Sequence, residues 1–391
     1  MLNTKFSPWP SFTKEESDAV SNVILSNKVN YWTGTECREF EKEFAAWSGC
    51  EYAVALGNGT LALDLALKTL DVGEGDEVIT TPRTFLASAS SIVTSGASPV
   101  FADVDLNSQN ITAESIEAVL TEKTKAVIVV HLAGMPAEMD AIMALSEKHG
   151  FFVIEDCAQA HGAKYKGRSV GSIGHIGAWS FCQDKIMTTG GEGGMVTTND
   201  KALWSKMWSY KDHGKSFDAI YNKQHPPGFR WLHESFGTNW RMTEMQGAIG
   251  RIQLQRMADW TENRQANGAA IDKVASKFNV VRTVDVPDYI EHAEYKHYLF
   301  VEPQNLAEGW TRDRIVDEIV SRGVPAFQGS CSEVYLEKAF DDTPWRPKER
   351  LKNAVELGET SLMFLVHPTL TQAEIELTCS VLDEVFSMAQ A

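Results

Sequence analysis

At 391 residues the chain is long for one compact core and a natural length for two domains. Its 43% hydrophobic and 23% charged residues are those of a soluble globular protein. A formal net charge of −17 argues against nucleic acid or an anionic membrane surface as the main partner, though a local basic pocket can still take an anionic substrate.

The apolar periodicity predicts an N-terminal segment with a first helix near 14–27 and a second helix over 36–47. Strands and helices then alternate. Strands are expected at 52–56, 77–81, 98–103, 126–131, 151–155, 177–181 and 194–198, and helices at 60–70, 86–95, 113–121, 138–149, 201–213 and 243–272. This rhythm indicates an α/β domain, residues 1–272, with a mainly parallel mixed sheet covered by helices. Such sheets bind ligands at the carboxyl ends of their strands. Beyond 272 shorter strands (278–282, 294–303) and helices (311–322, 350–358, 372–388) predict a smaller α+β domain, 273–391. The stretch 214–238 has weak periodicity, and loops of that length are usually functional or interfacial.

The opening residues, Met1 to Pro10, carry one lysine and no long apolar stretch, unlike a signal peptide. No run of about 18 apolar residues suggests a membrane span. The six cysteines are scattered without a Cys-x-x-Cys pair, which suits a reduced, cytoplasmic protein and makes a zinc or iron–sulfur site improbable.

The chemistry concentrates around Lys185, set between Ser180-Phe181-Cys182-Gln183-Asp184 and the glycine-rich Gly190-Gly191-Glu192-Gly193-Gly194. Asp156 ends the apolar run that begins at Phe151. A lysine after one strand and an aspartate at the tip of another suit pyridoxal phosphate (PLP). The lysine can form the Schiff base, and the carboxylate can keep the pyridine nitrogen protonated. Alone, a lysine such as Lys185 is far more often a surface residue, and Asp156 reads equally as a helix cap; the glycine-rich turn around Lys185 argues for a ligand there. Gly57-Asn58-Gly59-Thr60 opens a helix whose N-terminus can hold a phosphate, or it is only a turn and cap. Ser180 is a second phosphate candidate. Phe85, just past a strand end, can lie over the cofactor ring or be ordinary core. Gln159 can reach the ring hydroxyl, and His161 reads as structural.

Taken together, these segments resemble the DegT/StrS-type sugar aminotransferases, PLP enzymes of the aspartate-aminotransferase fold (fold type I). The likeness rests on Gly59-Thr60, Thr84-Phe85, the run from His131 to Pro136, the run from Glu155 to Ala163, Lys185 with Gly191 to Gly194, and the run from Asn239 to Gln246. It implies that Lys185 carries the cofactor and shuttles the proton, that Asp156 pairs with the pyridine nitrogen, and that Phe85 stacks on the ring. Gln159 would bond the ring hydroxyl, and Gly59, Thr60 and Ser180 the phosphate. Asn239 would reach the phosphate of a partner subunit, making a homodimer with shared active sites, and Arg241 would help bind the donor carboxylate. The implied reaction moves an amino group from L-glutamate to a ketosugar, foremost a nucleotide-linked one, for surface polysaccharide or secondary metabolism. A free keto sugar acid or a keto-cyclitol is the alternative acceptor. Many members have His and Asn where this chain has Cys182 and Ile186, so the substrate stays open. Dehydrating members replace the lysine by His, so Lys185 disfavours dehydration, and an intact site disfavours a purely regulatory role. A nucleotide-binding oxidoreductase is disfavoured too, because no Gly-x-Gly-x-x-Gly follows the first strand.

Overall fold

The computed structural model describes residues 5–391. In chain order its first strands are β1 (Tyr52–Leu56), β2 (Glu77–Thr80), β3 (Ser98–Phe101), β4 (Thr124–Val130), β5 (Phe152–Asp156), β6 (Lys164–Tyr165), β7 (Arg168–Ser169), β8 (Ile176–Ser180) and β9 (Gly194–Thr198). They are followed by β10 (Val281–Thr283), β11 (Ile290–Glu291), β12 (His297–Val301), β13 (Ala326–Phe327) and β14 (Ser361–Phe364).

The large sheet has the order β1-β9-β8-β5-β4-β2-β3. Pairing is parallel from β3 through β2, β4 and β5 to β8, whereas β9 runs antiparallel to both β8 and β1. This is the mainly parallel, mixed sheet expected. Its central strands are apolar on both faces, as sheets covered by helices on each side require. In β4, Ala126, Ile128 and Val130 join the core that holds Phe44, Leu65 and Trp179, while Val127 and Val129 join a second core with Ile79, Ile142 and Leu145. The alternation follows from the two-residue period of a strand.

The second sheet, β10-β12-β14-β13, is antiparallel. Its β12 divides in the same way. Tyr298 and Phe300 face the second core of the large sheet, whereas Leu299 and Val301 meet Ile315, Ile319, Val385 and Phe386 from the C-terminal helices. The small sheet is therefore pinned against the large one by its own side-chain period, which brings the residues just before β12 against the segment that follows β4, where the Tyr295 N–H donates to the Ala133 carbonyl.

The helix expected over 243–272 is two helices, Glu244–Gln255 and Met257–Ala275, which meet at Arg256. The second crosses the expected boundary at 272, and its last turns give Ile271, Val274 and Ala275 to the small-sheet core. The expected loop 214–238 contains one short helix, Phe217–Tyr221. The antiparallel β6–β7 pair with β11, and strands β13 and β14, were not expected at all. No helix among the described residues is long and apolar enough to cross a membrane.

Candidate active site

Strands β1, β5 and β8 run in one direction, and their carboxyl ends open onto one cavity of about 770 Å³. Each end contributes a different kind of group.

β5 delivers Asp156, which is only 6% exposed. Its Oδ2 accepts a hydrogen bond from Ser88 Oγ at 2.8 Å, and its Oδ1 accepts from the Ala158 N–H at 3.1 Å. Burial pushes this carboxyl up, against the pull of Ser88, Ala158 and the Lys185 ammonium. Ser88 in turn lies 2.9 Å from the Thr84 hydroxyl, so the chain around Phe85 is tied to the carboxylate through a short hydroxyl relay. Phe85 itself is 72% exposed on the cavity wall. A phenylalanine held open to a cavity has its face free for another ring.

β1 leads into the helix Gly59–Thr69. The Asn58 side chain caps the Leu61 N–H at 3.0 Å and leaves the N–H groups of Gly59 and Thr60 for a ligand. Gly59 is required here, because a Cβ at this position would run into Ser180 at the end of β8. Likewise a Cβ on Gly194, the first residue of β9, would strike the Asn58 carbonyl. The two glycines thus let the turn after β1 settle on the β8–β9 pair, which places Gly59, Thr60 and Ser180 together on the cavity wall.

Between β8 and β9 the chain makes the turn that carries Lys185. The Lys185 N–H donates to the Cys182 carbonyl at 3.1 Å, and the Trp9 indole donates to the Lys185 carbonyl at 2.8 Å. The lysine is half-buried, and its Nζ lies 5.3 Å from the centre of the Tyr295 ring. Ile186 is fully buried, while Cys182 lines the cavity.

Gln159 completes the set. Its Oε1 accepts from the Ala133 N–H at 2.8 Å, which fixes the amide and leaves its Nε2 to donate elsewhere. His161 takes no part. It is buried with its ring centre 5.2 Å from that of Trp179 and 5.6 Å from that of Phe181, and burial drives it down to about 3.

Seven of the nine residues singled out in the sequence, Gly59, Thr60, Phe85, Asp156, Gln159, Ser180 and Lys185, line this one cavity. Asn239 and Arg241 do not. Asn239 is exposed and forms an isolated backbone bridge to Asp212, and Arg241 Nη1 pairs with Asp212 Oδ1 at 2.6 Å. The cavity also takes in Ser88, Tyr295 and Lys296, none of which the sequence marked out, and Cys331. Ser88 follows Phe85 by one helical turn, a faint signal, whereas Tyr295 and Lys296 come from more than a hundred residues beyond Lys185 and had none.

The donor set fits PLP: an anion cradle at a helix N-terminus, a buried carboxylate, an amide donor, an open aromatic face and an amine around one space. Similar proteins point the same way. An X-ray structure of the aminotransferase from Psychrobacter cryohalolentis superposes with a TM-score of 0.96 at 64% identity, covering 98% of this chain and 99% of that one. GDP-perosamine synthase of Caulobacter vibrioides is 37% identical over 354 residues, 89% of each chain. S. venezuelae DesV, solved in complex with a ketimine intermediate, gives a TM-score of 0.84 at 29% identity, covering 95% of this chain and 94% of its own. The pattern of one family matches from residue 10 to residue 383, and by that match this chain belongs to the DegT/DnrJ/EryC1/StrS aminotransferase family.

Proposed function

We propose that this protein is a PLP-dependent aminotransferase that carries an amino group from L-glutamate to a nucleotide-linked ketosugar. The observation that carries this reading is the convergence of Lys185, Asp156 and the Gly59–Thr60–Ser180 wall on one cavity. The likeness to GDP-perosamine synthase favours a nucleotide-linked acceptor and an amino-sugar product for surface polysaccharide or secondary metabolism.

When bound, PLP supplies an aldehyde that condenses with amines and a ring that withdraws electrons from the substrate carbon. The chain's own residues do the rest. The N–H groups of Gly59 and Thr60 with the Ser180 hydroxyl hold the phosphate, and the Phe85 ring covers one face. Gln159 Nε2 donates to the ring hydroxyl. Asp156 would hold a proton on the pyridine nitrogen by direct attraction. Lys185 Nζ would hold the cofactor and would move the proton at the substrate carbon, as general base and then general acid. Asn239, exposed and outside its own cavity, serves the phosphate of a second copy in a homodimer.

Borohydride reduction of the purified protein followed by peptide mapping tests this directly. We expect the cofactor fixed to Lys185 Nζ, and we expect Lys185→Ala to lose both the visible absorption of the bound cofactor and all turnover with glutamate. A protein that gains no absorbance with added PLP and is labelled nowhere would end the proposal.

A further inference from the structure

Lys296 immediately precedes β12, and it lines the same cavity as Lys185 and Asp156. Backbone contacts hold it there. The N–H groups of Ala293 and Tyr295 each donate at 2.9 Å, to the carbonyls of Gly134 and Ala133 respectively. From behind, Arg264 Nη1 reaches the carbonyls of Glu294 and Tyr295, both at 3.4 Å.

The two ammonium groups share one ring. Lys185 Nζ lies 5.3 Å and Lys296 Nζ 4.9 Å from the centre of Tyr295. Among the described residues, no acid is within ion-pair distance of Lys296. Glu294 is turned to His297, at 3.1 Å, and to His292, at 3.5 Å. Asp184 accepts the Tyr295 hydroxyl at 2.5 Å. Arg264 is itself buried with Nε and Nη2 unpartnered, and Glu294 offsets only part of the positive potential it adds. Burial pushes the Lys296 amine down to about 8, with Arg264 and Lys185 adding repulsion and Asp184 opposing them. A cation drawn out of water among charges of its own sign is stabilised by an anion that can reach it. The cavity is the open approach, and Lys185 lines it as well.

We propose that Lys296 binds an anionic oxygen group of the substrate, carboxylate or phosphate, and so orients the substrate beside Lys185. The orienting role rests on the aminotransferase reading, whereas the anion site rests on the Lys296 geometry alone. The anion has two possible sources: the carboxylates of the amino donor, or the phosphate or acid group of the sugar acceptor.

The test is calorimetric titration of the purified, cofactor-loaded protein with 2-oxoglutarate, UDP and GDP, in wild type, Lys296→Met and Lys296→Arg. Removing the charge should weaken at least one probe by about 10- to 100-fold, the range for a charge-assisted hydrogen bond. Arginine should keep that probe within about threefold of wild type. Loss confined to 2-oxoglutarate assigns the donor, and loss confined to a nucleotide assigns the acceptor. Equal binding of all three probes to wild type and Lys296→Met, or no binding of any to wild type, overturns the proposal. If borohydride labels nothing at Lys185 while binding still depends on Lys296, the aminotransferase reading falls and the anion site stands.

Discussion

The two faces of β5 carry neighbouring carboxylates with opposite fates. Glu155 and Asp156 are both buried at the same strand end, yet the period of the strand sends them to opposite sides of the sheet. Glu155 is closed in. Its oxygens meet His131 Nε2 at 3.0 Å and the N–H groups of Gly171 (2.8 Å), Ile173 (2.8 Å) and Gly174 (2.6 Å). Those donors hold its carboxyl below the ordinary range even though burial pushes it up. Asp156 has two donors and an open cavity in front of it, and burial wins. One acid is saturated and ties the loop at 171–174 to the sheet. The other is left with capacity for a group the chain does not supply.

The contrast can be broken by removing each charge in turn. The largest effect is expected from Asp156→Asn in steady-state assays. If Asp156 stabilises charge that develops on the cofactor ring, the rate should fall about 10²- to 10³-fold with the cofactor retained. An unchanged rate would take Asp156 out of the chemistry. For Glu155→Gln the loss should appear in stability instead. The new amide would point a donor at N–H groups that need an acceptor, and breaking a saturated buried charge costs about 3 kcal/mol or more. Urea unfolding followed by circular dichroism should show a lower midpoint for this variant and a near-native one for Asp156→Asn. Equal midpoints would erase the distinction between the two faces.

The smallest effect concerns the buried His161. His161 sits neutral among Trp179 and Phe181, at about 3 against an ordinary value of 6.5. Below pH 6.5 the unfolded chain takes up a proton there that the folded chain refuses, so stability falls on acidification by about 1.4 kcal/mol per pH unit. Between pH 6.5 and 4.5 Glu155 adds little, because its contribution is lost only as the pH falls through its depressed value. In that window His161→Leu should have a shallower loss of stability than wild type. Parallel profiles would mean that the histidine is hydrated or charged in the fold.

Long apolar strands were plain in the sequence because β4 and β5 are continuous runs that nothing local contradicts. The break at Arg256 was not, since the helical pattern continues unbroken across it: Leu254 and Met257 on its two sides join the same core, and only the far end of the second helix reaches the small-sheet core. Strands β13 and β14 are short and are organised by their pairing, β13 along β14 and β14 along β12, a long-range feature that no local window contains.

What the sequence determined by itself was a short set of candidate residues. Lys185, Asp156 and the glycine turns are recognisable because each chemical role admits few residue types, and the short-range rules that set strands and helices place them at element ends. What only the tertiary structure decided was which groups share a space. Ser88, Tyr295 and Lys296 are commonplace residues made specific by where they are packed, and Asn239 and Arg241 lie close to one another in the chain yet away from the cavity. A cavity is enclosed by contacts between distant segments, and the balance of burial and charge inside it exists only once those contacts have formed.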